Sequence, residues 1–91
     1  MDDLIAARRD GLIEAEVDGE LMGLHVDNGQ CYGFNPTATR IWALIDTPRS
    51  VTQLCETLSE EFDVAPEDAR PDVVALLREL ESEGLVRLTL A

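Results

Sequence analysis

This chain contains no lysine, one histidine, and only four aromatic rings of the Phe, Tyr and Trp type in 91 residues. All seven of its basic residues are arginines, Arg8, Arg9, Arg40, Arg49, Arg70, Arg78 and Arg87, set against nineteen acids for a formal charge of -12. A surface of that sign repels nucleic acid and anionic lipid and suits a neutral or cationic partner. Cys31 and Cys55 are the only cysteines. Two cysteines build no disulfide framework, their spacing matches no zinc motif, and one histidine cannot complete a metal site. A reduced cytosolic pair is expected, with Cys55 acting as a small core hydrophobe. The acidic start Met1-Asp2-Asp3 carries no apolar signal region, and no apolar run approaches the ~18 residues of a membrane span. Cytoplasmic localisation and no membrane partner are the expectations.

Catalytic chemistry is equally sparse. Ser50 and Ser59 lie in no nucleophile motif, and no glycine-rich phosphate loop is present. Pairs such as Glu60-Glu61 and Glu67-Asp68 are ordinary on solvated helix faces, and His25 reads as an exposed strand residue. Tyr32, Phe34 and Trp42 read as core rather than as a stacking platform. No enzyme activity, cofactor or metal is expected, and the size suits one binding domain with a modest core.

What is present is a clear order of elements. Residues 1–11 show no period and read as an N-terminal tail, so that 12–91 form the single domain. Leu12 to Val17 alternates as a half-buried strand, Asp18-Gly19 is a two-residue hairpin signal, and Glu20 to Val26 is a second strand with Met22, Leu24 and Val26 on one face. Asp27-Asn28-Gly29 turns the chain into a third strand, Gln30 to Phe34. Asn35-Pro36 then opens a helix to about Ile45, with Asn35 as cap and Pro36 at the first helical position. Ala38, Ile41, Trp42 and Ile45 share its inner face. A second helix covers about Val51 to Phe62, with Leu54, Cys55, Leu58 and Phe62 inward. A third runs from about Glu67 to Glu83 on a stripe of Val73, Leu76, Leu77 and Leu80 and stops at Gly84. Pro71 raises the alternative that regular helix starts at Arg70 or Pro71. Leu85 to Leu88 reads as a short extended tail. The fold class is α+β: a three-stranded antiparallel meander followed by three helices, winged-helix-turn-helix-like.

The third strand, Gln30-Cys31-Tyr32-Gly33-Phe34, has one unpaired edge in such a meander and carries none of the Pro, Lys or other charge that usually guards an edge. Either the C-terminal Leu85–Leu88 segment covers it or it is open to receive a strand, with Gly33 allowing close backbone approach. Val74 lies off the central line of the third helix, beside Arg70, Leu77, Arg78 and Glu81, and is a candidate groove residue as well as an ordinary boundary residue.

Three segments resemble the PqqD-like family of peptide-recognition proteins: Tyr32-Gly33-Phe34-Asn35-Pro36-Thr37-Ala38 with Ile41-Trp42, Asp46-Thr47-Pro48-Arg49-Ser50-Val51-Thr52-Gln53-Leu54, and Asp72-Val73-Val74-Ala75-Leu76-Leu77 with Leu80 and Gly84-Leu85-Val86. The resemblance covers roughly residues 12 to 88. It departs from the family pattern at Thr47, where Gly is frequent, and at Pro71. It implies a freestanding, non-catalytic protein that binds the leader of a ribosomally made precursor peptide as a strand added to the third strand, in the cleft against the third helix. By position, the peptide-binding residues would be Gln30, Cys31, Tyr32, Gly33 and Phe34, with Val74, Leu77, Arg78 and Glu81 as groove walls. The implied partners are the precursor leader and a leader peptidase or modifying enzyme, with a lasso-peptide pathway favoured and a monomer expected when peptide is bound. The alternatives are a PqqD-type chaperone that presents a precursor to a radical SAM enzyme, a winged-helix DNA-binding protein, and an adaptor without a peptide ligand. Six acids and two arginines between Glu67 and Glu83 oppose DNA, and no attachment serine supports an acyl-carrier role.

Overall fold

The computed structural model describes residues 3–90 as six strands and three α-helices. The strands are β1 (Leu4–Arg8), β2 (Leu12–Val17), β3 (Glu20–His25), β4 (Cys31–Phe34), β5 (Arg49–Ser50) and β6 (Val86–Leu90); the helices are α1 (Pro36–Leu44), α2 (Val51–Phe62) and α3 (Pro66–Ser82). The fold is α+β and winged-helix-turn-helix-like, and β2-β3-β4 is an antiparallel meander in chain order. A second antiparallel sheet, ordered β5-β1-β6, stands beside it.

That second sheet corrects the reading of residues 1–11 as a tail, of which Met1 and Asp2 lie outside the described residues. β1 is its central strand, paired to β6 through Ala6↔Leu88 and Ala7↔Arg87 and to β5 through Ile5↔Ser50. Its residues are half-buried on both faces of the sheet around Ala6, so Leu4-Ile5-Ala6-Ala7 shows no alternation. Ala6 is fully buried. The C-terminal segment, read as an extended tail, is β6, and it pairs with β1 rather than with β4.

Local signals explain the joints. Asp18 and Gly19 both take positive φ, as a two-residue hairpin turn requires. Ala38 N–H donates to the Asn35 side chain at 2.8 Å, which caps α1. Ser50 and Gln53 form a reciprocal capping box on α2. At the end of α3, Leu85 N–H reaches Leu80 O (2.9 Å) and Gly84 N–H reaches Glu81 O (2.9 Å), with Gly84 at φ 77°. This is a Schellman closure whose two apolar residues, Leu80 and Leu85, are both buried. α3 starts at Pro66, a favoured first position, so Pro71 lies inside the helix, which does not begin at Arg70 or Pro71.

Three side-chain expectations are corrected. His25 is buried, at 5 % exposure, because β3 turns Leu21, Gly23 and His25 to the core; its Nδ1 accepts the Asp27 N–H at 3.1 Å. Phe62 ends α2 at the surface and is 44 % exposed. β2 is exposed along nearly its whole length, with Ile13 at 56 % and Val17 at 55 %, because it is the outer strand of the meander and pairs with β3 alone.

The last turn of α1 has no basic residue of its own, and arginines from elsewhere serve its carbonyls. Arg8 Nε donates to Trp42 O at 3.0 Å, its Nη2 donates to the same oxygen, and its guanidinium lies 4.5 Å from the Trp42 ring centre. Arg49 Nε donates to Leu44 O. Cations at a helix C-terminus complement its dipole, and these two tie the β5-β1-β6 sheet to α1. Arg8→Met keeps the stem and removes the donors. Urea unfolding should show a loss of about 1–3 kcal/mol, and an unchanged midpoint would mean that water serves Trp42 O as well. Ser50→Ala, which opens the capping box, should cost about 0.5–2 kcal/mol in the same assay.

Candidate functional site

The β4 edge is open among the described residues. β4 pairs with β3 through Leu21↔Phe34, Met22↔Gly33, Gly23↔Tyr32 and Leu24↔Cys31, and nothing pairs with its other side. One bond sets which backbone groups point where. His25 N–H donates to Gln30 O at 2.9 Å. Antiparallel ladders alternate, so Tyr32 and Phe34 exchange bonds with β3, and Cys31 and Gly33 direct their N–H and C=O groups to the open side. The same alternation turns the side chains of Tyr32 and Phe34 inward. A Cβ at Gly33 would meet only the Met22 sulfur at 3.7 Å, so an L-residue fits there without strain.

Beside this edge runs a cleft. A cavity of about 220 Å³ is lined by Tyr32, Gly33, Phe34 and Asn35 on one side and by Leu76, Glu79 and Leu80 of α3 and its C-cap Glu83 on the other, with Ala38 between. It adjoins a second cavity of about 440 Å³ through the shared residues Asn35, Ala38 and Leu76. Ile41, Leu58, Val64, Ala69 and Val73 make that second cavity largely apolar, and Asp72 and the exposed Phe62 also line it. The Tyr32 hydroxyl donates to Glu83 Oε2 at 2.7 Å and so bridges the cleft at one end. Gln30 Oε1, at 3.1 Å, is a second acceptor for the same proton. The bond to Glu83 holds the Tyr32 proton and pushes its phenol above the ordinary range. Tyr32 meets Glu83 while Asn35 shares its cavities with Leu76, so β4 and α3 run in opposite directions along the cleft.

Of the residues picked out from the sequence, Tyr32, Gly33 and Phe34 line this cleft, and Cys31 and Gln30 continue its edge. Val74, Leu77, Arg78 and Glu81 do not line it. Leu77 is wholly buried in the core. At 3.6 residues per turn, Val74, Arg78 and Glu81 form a stripe roughly 110° to one side of the buried stripe Ala69, Val73, Leu77 and Leu80. The residues that face β4 are Asp72, Leu76, Glu79 and Glu83, roughly 90° to the other side. Both flanks have the same periodicity, and only the placement of β4 distinguishes them. Asn35 was legible as a cap and not as a cleft residue.

The cleft has the form of a receptor for an extended segment. Among the described residues no group of three or more His, Cys, Asp or Glu is placed to hold a metal ion. No described helix is long and apolar enough to cross a membrane.

Two solved structures share this architecture. "TbiB1 in Complex with the TbiA(beta) Leader Peptide" superposes with a TM-score of 0.79 at 23% identity, covering 89% of this chain and 94% of the other. "Lasso peptide synthetase B1 complexed with the leader peptide" superposes with a TM-score of 0.77 at 25% identity, covering 90% and 96%. No curated protein sequence matches this chain significantly. The family profile described as "Coenzyme PQQ synthesis protein D (PqqD)" matches residues 20–86, which span β3, the open edge, all three helices and the start of β6, and the chain belongs to the PqqD family.

Proposed function

We propose that this chain is a non-catalytic recognition protein for ribosomally made precursor peptides. It takes the leader segment as a strand on β4, in the cleft against α3, and delivers it to a leader peptidase or modifying enzyme. The observation that carries this reading is the uncharged β4 edge, whose outward groups at Cys31 and Gly33 lie beside a cleft walled by Leu76, Glu79 and Leu80 of α3. The two similar structures, each described as a complex with a leader peptide, support it and favour a lasso-peptide pathway. One peptide per protein monomer follows, since the chain offers one such cleft between β4 and α3.

The energetics assign separate jobs to edge and cleft. Two N–H and two C=O groups allow four strand bonds, together about 2–6 kcal/mol at the usual net value for each. Association and ordering of a disordered peptide cost on the order of 4–15 kcal/mol. Main-chain pairing alone therefore does not hold a leader. Apolar side chains in the cleft, at about 1.5–3 kcal/mol for each one fully buried, decide affinity and selectivity.

The direct test is a backbone-amide NMR titration with the leader of a short precursor encoded beside this gene. Saturable shifts should centre on Cys31 to Asn35 and on the Asp72, Leu76, Glu79 and Glu83 side of α3. No shift at large excess of every such leader would sink the reading. A second prediction separates edge from fold. Gly33→Pro removes an N–H that faces away from β3, so the ladder is kept and the melting temperature should move little. Leader affinity should fall about tenfold or more, through one lost bond and a ring in the path of the strand. Equal affinity for Gly33→Pro would show that the peptide does not pair with β4.

A further inference from the structure

The chemistry of the cleft wall specifies more about its occupant than an extended shape. No Arg, Lys or His lines either cavity, and three carboxylates do: Asp72, Glu79 and Glu83. Glu83 is engaged by the Tyr32 hydroxyl. Glu79 lies between that bridge and the apolar cavity, and it is in none of the ion pairs among the described residues. The site itself rests on the open β4 edge; Glu79 bears on which strand the edge selects.

Spacing along the two walls then gives a pattern. Four α3 residues line the apolar cavity, Ala69, Asp72, Val73 and Leu76, and the two apolar ones nearest Glu79 are Val73 and Leu76. Their midpoint lies 4.5 residues before Glu79, about 6.8 Å along the axis at the α-helical rise. Successive same-face residues of an antiparallel strand are also about 6.8 Å apart. A peptide strand between β4 and α3 can thus place one side chain over the apolar cavity and the next same-face side chain at Glu79. Every pairing in both sheets is antiparallel, and antiparallel pairing is the more stable form. An antiparallel strand on β4 runs in the same direction as α3, from the Leu76 end toward Glu83.

Resting on the reading of β4 as a peptide receptor, we infer that the recognised leader carries an apolar residue, any residue, then Lys or Arg. The apolar side chain fills the cavity over Val73 and Leu76, and the cation pairs with Glu79. The Tyr32–Glu83 bridge closes the cleft beyond that point, so residues after the cation leave the α3 wall there.

The test is selection of a phage-displayed library of random twelve-residue peptides on the full chain, with the Gly33→Pro variant as decoy. Peptides dependent on the edge should be enriched in the apolar–any–Lys/Arg pattern. One enriched peptide is then synthesised with Lys and with Gln at the cationic position, and both are titrated against wild type and Glu79→Gln. Glu79→Gln should weaken the Lys peptide about two- to five-fold, as loss of an exposed ion pair does, and leave the Gln peptide as tight or tighter, because no uncompensated carboxylate is then sealed beneath it. Enrichment without a cation at that position overturns the inference and leaves the receptor reading standing. So does equal weakening of both peptides by Glu79→Gln. If the wild type enriches nothing over the decoy, the receptor reading falls and the inference falls with it.

Discussion

One hydrogen bond stands where an edge strand becomes a core helix, from Ala38 N–H to Asn35 Oδ1 at 2.8 Å. Phe34 ends β4, Asn35 caps α1, and Pro36 begins it, so a single residue separates the open edge from a helix whose Ile41 and Trp42 are buried. The bond satisfies one orphan donor of the first turn and fixes the angle at which strand meets helix. Thr39 N–H bonds Asn35 O at 2.8 Å and starts the helical ladder from the same residue. An edge strand with unpaired groups on one side would ordinarily fray. Here Phe34 packs at 5.9 Å from the Trp42 ring, and the core holds the strand in place on the sheet side while leaving its other side open.

The same helix couples the site to the second sheet. Trp42 receives Phe34 from β4 on one side and Arg8 from β1 on another. Its indole N–H is buried without a partner among the described residues, and packing and the cation above the ring set its position. Asp3, just before β1, is drawn to Arg70 of α3 at 3.3 Å. Burial works to raise its carboxyl, but hydrogen bonds from Thr52, Arg70 and the Leu4 N–H outweigh that and leave it below its ordinary value. β1 thus contacts α1 and lies next to a tie to α3, one wall of the cleft, although it contributes no cleft residue.

The legible parts of the molecule were those with local causes. Caps at Asn35 and Gly84, the Asp18-Gly19 turn and the helical periods of α1 to α3 are all decided within a few residues. β1 was not legible, because its apolar run owes its form to partners more than forty and more than seventy residues away. The inward face of β3 was misleading for a related reason. Met22 and Leu24 look like the core face, yet Leu21, Gly23 and His25 are buried. The period of two was right, and the side that meets the helices is a tertiary fact. The same holds for α3, whose buried stripe has two flanks of equal periodicity, of which Asp72, Leu76 and Glu79 lie toward β4 and Val74, Arg78 and Glu81 do not.

Net charge acquires a different meaning once the cleft is placed. At -12 the protein as a whole repels anions, which explains exclusion but not recognition. Charges that face water over most of the surface are screened within about 8 Å at physiological salt. Glu79 stands instead beside apolar walls that a bound strand would seal from solvent, where the same charge is less screened and acts at lower effective dielectric. An uncompensated carboxylate sealed there by a neutral peptide is costly, and the same carboxylate sealed by a cation is not. The preference therefore comes as much from penalising the wrong strand as from attracting the right one. The backbone edge is indifferent to sequence, so discrimination among leaders falls to the few side chains on α3 that the strand must pass.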